Sequence, residues 1–237
     1  MPAPLARRLV AEALGTALLL AVVIGSGIMA ERLSGGNVAI ALLANTFATG
    51  AGLVALLFTF GPISGAHLNP VVTIADASQG GTAWKEVPPY LAVQISGAFA
   101  GAAIAHAMFA EPLFSASTHV RSGPAQWLGE FVATFGLLAT IWGCVRSRPT
   151  TVPFAVGAYI TAAYWFTSST SFANPAVTLA RAASNTFAGI RPADAPGFIV
   201  AQALGAAAAT ALFAWLAPAN PRSAAVSQDA ERTEKAA

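Results

Sequence analysis

The chain has 237 residues, of which 56% are hydrophobic and only 9% charged, with a formal net charge of +2 and a mean hydropathy of +0.64. A soluble domain carries about 25% charged residues, so a water-soluble globule is excluded, and the wealth of Leu, Val, Phe and Ala excludes a disordered chain. The single cysteine, Cys144, excludes an intramolecular disulfide, three dispersed histidines (His67, His106, His119) argue against a metal enzyme, and scattered basic residues argue against a nucleic-acid partner. What remains is an all-α, multi-pass membrane protein.

A membrane-crossing helix needs about 20 mainly apolar residues. Six such spans are predicted in chain order: residues 9–29, 38–60, 89–109, 127–145, 152–166 and 197–216. The fifth has a weakly marked end. The first run is too long for a signal peptide and no cleavage site follows it. Two connections, residues 61–85 and 167–191, each hold a short apolar piece after a Gly/Ser-rich turn. Such pieces are too short to span and are expected to form re-entrant half-helices. Residues 218–237 are polar and mixed in charge, as expected of a disordered tail.

Charge placement sets the expected orientation. Six spans put both termini on one side. That side holds eight basic residues (Arg7, Arg8, Lys85, Arg146, Arg148, Arg222, Arg232, Lys235), against four on the other (Arg32, Arg121, Arg181, Arg191). The bias predicts cytoplasmic termini in a plasma membrane, the inner membrane of a bacterium.

The chain also repeats itself. Ala11-Glu12 with Gly15-Thr16 is echoed by Gly129-Glu130 with Ala133-Thr134. His67-Leu68-Asn69-Pro70-Val71-Val72-Thr73 is echoed by Phe172-Ala173-Asn174-Pro175-Ala176-Val177-Thr178. Gln94 with Gly97 is echoed by Gln202 with Gly205. Each copy (residues 1–115 and 120–217, approximately) holds three spans, an odd number, so the second copy is inverted in the bilayer. The two Asn-Pro segments then enter from opposite faces and meet near the midplane. Pro suits the first turn of a helix and Asn the N-cap. Two helix N-termini facing one another, each with about half a positive charge, make a field hostile to cations. Asn-Pro alone is an ordinary turn dipeptide, as Asn220-Pro221 is read here; the paired, matched context distinguishes Asn69 and Asn174.

These residues resemble the aquaporin (major intrinsic protein) family, whose mark is two Asn-Pro-Ala boxes in an inverted repeat of three spans. The first box departs by Val71 for Ala; the second, Asn174-Pro175-Ala176, is intact. The resemblance covers nearly the whole chain except the tail. It implies six spans plus two half-helices, one channel domain over residues 1–217, one pore per subunit, and a homotetramer. It implies passive flow of water or small uncharged solutes, and neither a cofactor nor an enzymatic activity. Glu12 and Glu130 would brace the re-entrant loops. Gly65, Ala66, His67 and Leu68, and Thr170, Ser171, Phe172 and Ala173, would line the pore.

Four positions form the narrowest outer part of the pore in that family. By spacing from the boxes they fall here at Thr49, Ala162, Ser171 and Val177. The family's usual arginine is replaced by Val177. All four side chains are small, so a wide, weakly polar, uncharged filter is expected. Arg181, one turn beyond Val177, reads as a snorkelling or interfacial residue in preference to a vestibule one. Tyr164, Trp165 and Phe166 read as lipid-facing or packing residues, and Gly97, Gly101 and Gly205 as close helix crossings. The Val-for-Arg filter is similar to that of bacterial aquaglyceroporins associated with arsenic resistance. That implies arsenite as neutral As(OH)₃, methylated arsenicals and glycerol among the solutes. The alternatives are a water-selective pore with an atypical outer mouth, an inverted-repeat secondary transporter, and a weakly selective ion pore.

Overall fold

The computed structural model of the protein describes residues 3–217, so the expectation for the tail lies outside the described residues. Among them the regular structure is helical: α1 (Leu5–Leu33), α2 (Val38–Ser64), α3 (Pro70–Ser78), α4 (Val87–Phe109), α5 (Pro124–Ser147), α6 (Val152–Phe166), α7 (Pro175–Ala182) and α8 (Ala195–Leu216). The helices overrun the predicted spans at most ends, because a membrane helix continues into the polar interface beyond its apolar window. Arg8 and Arg32 lie in those extensions, where they pair with Glu86 at 2.6 Å and Glu111 at 2.8 Å and tie the two ends of α1 to the ends of α4. Five helical segments are long and apolar enough to cross a membrane. The exception is α6: its 15 residues give about 22 Å at 1.5 Å per residue, and a 3₁₀ turn at Pro149–Thr151 extends it.

Helix starts follow local chemistry. Asn37 caps α2 by accepting from the N–H of Ala39 and Ile40 at 3.0 and 3.2 Å. Pro stands in the first turn of α4, α5, α6 and α8, where a missing N–H costs nothing. Gly65 ends α2 at φ 91°, a left-handed conformation that suits glycine.

Packing joins α1 to α2 and α4 in the first half and α5 to α6 and α8 in the second; α2 and α6 join the halves. The half-helices α3 and α7 touch each other, and each rests on both α4 or α8 of its own half and the counterpart in the other. Close crossings depend on glycine as expected. A Cβ on Gly97 or Gly101 would overlap the carbonyl of Ala13 or Ala17 on α1, and one on Gly205 would stand 2.5 Å from the carbonyl oxygen of Phe131 on α5. Overpacking costs about 1–3 kcal/mol even where side chains can shift, and these contacts are backbone. Gly205→Leu is therefore expected to lower the melting temperature of detergent-purified protein by at least ~5 °C. Gly61→Ala, where a Cβ meets nothing within 4 Å, should leave it unchanged.

Candidate functional site

The site is built from the two loops that precede α3 and α7. Asn69 and Asn174 cap these helices: Asn69 accepts from Val71 N–H at 3.1 Å, and Asn174 from Ala176 and Val177 N–H at 3.0 and 3.3 Å. Their amides then reach across the repeat. Asn69 Nδ2 donates to the Ala173 carbonyl and Asn174 Nδ2 to the Leu68 carbonyl, both at 2.8 Å. Each amide has a second N–H. The exchange fixes the two helix N-termini side by side, the arrangement expected of an inverted repeat.

The loops are strained, and buried carboxylates hold them. Ala66 and Leu68 sit at φ 46° and 50°, and Thr170, Ser171 and Ala173 at 60°, 51° and 50°, conformations unfavourable for residues with a Cβ. Glu12 accepts from Ser64 Oγ, His67 N–H, Leu68 N–H and Gln94 Nε2 at 2.7–2.9 Å. Glu130 accepts from Phe172 N–H, Ala173 N–H and Gln202 Nε2 at 2.6–2.8 Å. Both carboxylates are fully buried, and their oxygens are engaged by donors. Gln94 and Gln202 also donate to Thr73 and Thr178 on the half-helices, each at 2.9 Å. The two networks match in their two loop N–H groups and their glutamine; the Ser64 hydroxyl is a further donor to Glu12.

A cavity of about 300 Å³ passes between these loops and the long helices. One wall is made by the loops and carries polar side chains at His67, Asn69, Ser171 and Asn174: it comprises Gly65, Ala66, His67, Leu68 and Asn69 from the first loop, Ser171, Phe172, Ala173 and Asn174 from the second. The facing wall is mainly apolar and comes in stripes four residues apart, as one helix face requires. These are Leu19 and Val23 on α1, Thr49, Leu53 and Leu57 on α2, Leu137, Ile141 and Val145 on α5, and Val152, Val156, Ile160 and Tyr164 on α6.

Most of the residues singled out in the sequence thus meet at one cavity. Pro70, Val71, Pro175 and Ala176 are buried beside it without lining it, and Thr170 also stands off it. Of the filter positions, Thr49, Ser171 and Val177 line the cavity; Ala162 does not. Ala162 falls on the exposed face of α6, because counting back from Asn174 across an irregular loop lost the helical phase. The cavity-facing residue is Tyr164, which continues the stripe begun at Val152 and whose hydroxyl lies 3.3 Å from Thr49 Oγ1. The stripe spacing was the available signal. Trp165 and Phe166 are exposed at 48% and 56%, as expected.

Arg181 requires a second correction. It is not interfacial: it is 2% exposed and lines the cavity one helical turn beyond Val177. Its Nε donates to the Ala188 carbonyl, and its guanidinium lies 3.3 Å from the centre of the Phe172 ring. The side chain turns into the cavity and not out to the membrane interface. The four filter positions hold no arginine, yet the same cavity holds a guanidinium. Arg121, from the loop between α4 and α5, lies 5.2 Å from the same ring and donates to the Gly189 carbonyl at 2.8 Å. Burial pushes its guanidinium below the ordinary arginine value.

Seven residues after each capping asparagine stands a charged residue, Asp76 in the first half and Arg181 in the second, and both line the cavity. At the Asp76 end, His67 Nδ1 is 3.1 Å from Thr73 Oγ1 and Nε2 is 3.7 Å from the Asp76 carboxylate. Asp76 also accepts from the Thr82 N–H and hydroxyl at 2.6 and 2.7 Å. His106, by contrast, is buried against Ser184 at 2.8 Å, away from the cavity.

Known proteins share this architecture. The model of the Major intrinsic protein family matches residues 2–164. The chain is 57% identical to Aquaglyceroporin AqpS of Rhizobium meliloti (strain 1021), over 92% of this chain and 93% of that protein. It is 33% identical to Aquaporin NIP1-3 of Oryza sativa subsp. japonica, over 73% of this chain and 62% of that one. The X-ray structure of the aquaglyceroporin from Plasmodium falciparum superposes with a TM-score of 0.71 at 20% identity, covering 91% of this chain and 98% of that one, and so shares the fold. With the reciprocal Asn69 and Asn174 caps, the two carboxylate-braced loops and a family match over more than half of its length, the chain belongs to the major intrinsic protein family.

Proposed function

We propose that the chain is a passive transmembrane channel for small uncharged solutes, with polyols such as glycerol and neutral metalloid hydroxides such as As(OH)₃ as its cargo. The observation that carries this reading is the two-sided cavity, apolar stripes facing a wall of loop backbone and asparagine amides. Such a wall pair suits a solute with hydroxyls along one side and a hydrophobic back. Similarity to a relative named an aquaglyceroporin supports the same cargo class. Glu12 and Glu130, the acids inside the long helices, have their oxygens engaged by the loops, which argues against their coupling an ion gradient as in a transporter. We place the pore in one domain over residues 1–217, in a homotetramer in a bacterial inner membrane. The charge bias puts both termini in the cytoplasm, with Asp76 at the inner mouth and Arg181 at the outer.

Stopped-flow light scattering on proteoliposomes tests this. Glycerol and As(OH)₃ are expected to enter faster than in protein-free vesicles, in proportion to their gradient and independently of pH or sodium gradients. Tyr164 and Arg181 narrow the outer mouth and favour a second reading, a water-selective pore; flow of water alone would select it. Saturable, gradient-coupled uptake would select a transporter.

The α6 stripe makes its own prediction. Tyr164→Ala removes a ring from the cavity wall and is expected to raise glycerol flux at least ~2-fold relative to water, whereas Ala162→Phe, on the outer face, should change neither. The reverse pattern would restore Ala162 to the filter.

A further inference from the structure

Arg181 poses an electrostatic problem. Its guanidinium is buried at 2% exposure, and among the described residues it has no carboxylate within 4.0 Å. Arg121, against the same Phe172 ring, has none for its side chain either. Glu130 is the acid of this loop, and its oxygens are engaged by Phe172, Ala173 and Gln202. The Ala188 carbonyl and the Phe172 ring offset part of the cost of burying this cation, but no anion balances its charge, and a second cation nearby raises the cost. Two polar atoms on residues that line the cavity also lack hydrogen-bond partners among the described residues, Arg181 Nη1 and Ser171 Oγ, and Ser171 directly precedes the Phe172 on which the guanidinium rests. A cationic pocket with a guanidinium donor and a hydroxyl donor is complementary to a small oxygen-bearing anion.

We propose that Arg181 and Ser171, with Arg121 behind them, form a binding site for a small monovalent oxyanion at this mouth of the cavity, and that an anion seated there obstructs the solute route. The site supplies charge from two guanidiniums and hydrogen bonds from Nη1 and Oγ. Asp76 at the opposite end gives that mouth the opposite charge, so the site is one-sided. This takes from the channel reading only the existence of a solute route to obstruct.

Nitrate is the probe, because it is small, planar and ionised at all working pH values; gluconate, a much bulkier anion, controls for ionic strength. Binding is read first by thermal unfolding of the full chain in detergent. Nitrate at 10 mM is expected to raise the melting temperature of wild type by a few degrees over gluconate, and not to do so in Arg181→Gln. Glycerol flux into proteoliposomes is then expected to fall at least twofold with nitrate and to be insensitive in Arg181→Gln. No shift in wild type, or an equal shift in Arg181→Gln, overturns the site. A shift with no effect on an otherwise measurable glycerol flux overturns the obstruction. A nitrate-dependent shift in protein that passes no solute supports the site and sinks the channel reading instead. Should Arg181→Gln fail to fold, Ser171→Ala and Arg181→Lys serve: each should weaken the nitrate midpoint at least threefold, and an unchanged midpoint in both overturns the proposal.

Discussion

Val177→Arg is expected to cut glycerol and As(OH)₃ flux at least about tenfold, which corresponds to about 1.4 kcal/mol added to the barrier. Val177 is in the first turn of α7, lines the cavity, and holds its N–H on the Asn174 cap at 3.3 Å. Its position is therefore fixed. An arginine there would project into the cavity that Thr49, Tyr164 and Ser171 also line. It would also stand one turn from Arg181, on the same face, and set two guanidiniums side by side in a site with no free carboxylate. The added bulk obstructs a polyol, and the guanidinium's donors hold its hydroxyls in place. Val177→Met separates them, being long and uncharged. If Met closes the route as well as Arg does, width is the selecting property; if only Arg does, hydrogen bonding by the guanidinium is. Water flux should fall less in both, since water needs less width. Glycerol flux unchanged in Val177→Arg would show that the solute does not pass Val177 at all.

The parts of this site that were legible in the sequence are those carried by a repeated local motif. Asn-Pro at a helix start is a cap with known geometry, and two copies in an odd-numbered repeat dictate that they meet. Glu12 and Glu130 are legible as braces through the family resemblance; an intramembrane carboxylate demands donors, and the loops supply them. The expectations that the structure overturns depend on phase or on burial in three dimensions. Ala162 was placed by counting residues across 167–173, where Thr170, Ser171 and Ala173 all adopt positive φ, so a helical count does not carry across it. Tyr164 was recoverable from the spacing of Val152, Val156 and Ile160 on its own helix. Arg181 was misread because the polar character of a side chain says nothing about what covers it. The chain that covers it, from Ser117 to Arg121 and from Ser184 to Ile190, is irregular and packs through single backbone contacts such as Ser117 N–H to the Ala182 carbonyl at 3.1 Å and Ile190 N–H to the Arg181 carbonyl at 3.3 Å. No periodicity announces such a contact.

Replacing either bracing glutamate is expected to abolish solute flux through loss of the folded loops, and Glu12→Ala more severely than Glu130→Ala. Glu12 satisfies four donors and Glu130 three. Each buried donor left unpaired costs about 1–3 kcal/mol, so either change removes several kcal/mol, and Glu12→Ala about 1–3 kcal/mol more. The strained residues magnify the loss. Leu68 and Ala173 stay at positive φ only while the carboxylates hold their N–H groups, and once released they relax to ordinary backbone. Their carbonyls, which accept from Asn174 and Asn69 at 2.8 Å, move with them, so the two caps at the centre of the cavity come apart together. Glutamine does not rescue. Its carboxamide keeps one acceptor oxygen but turns an NH₂ toward backbone N–H donors, so Glu12→Gln should lower the melting temperature in detergent nearly as far as Glu12→Ala. A proton-relay role makes the opposite prediction: Glu12→Gln would fold at the wild-type temperature, pass glycerol normally and lose only a proton-coupled component. Melting temperature and glycerol flux measured on the same Glu12→Gln preparation decide between the brace and the relay.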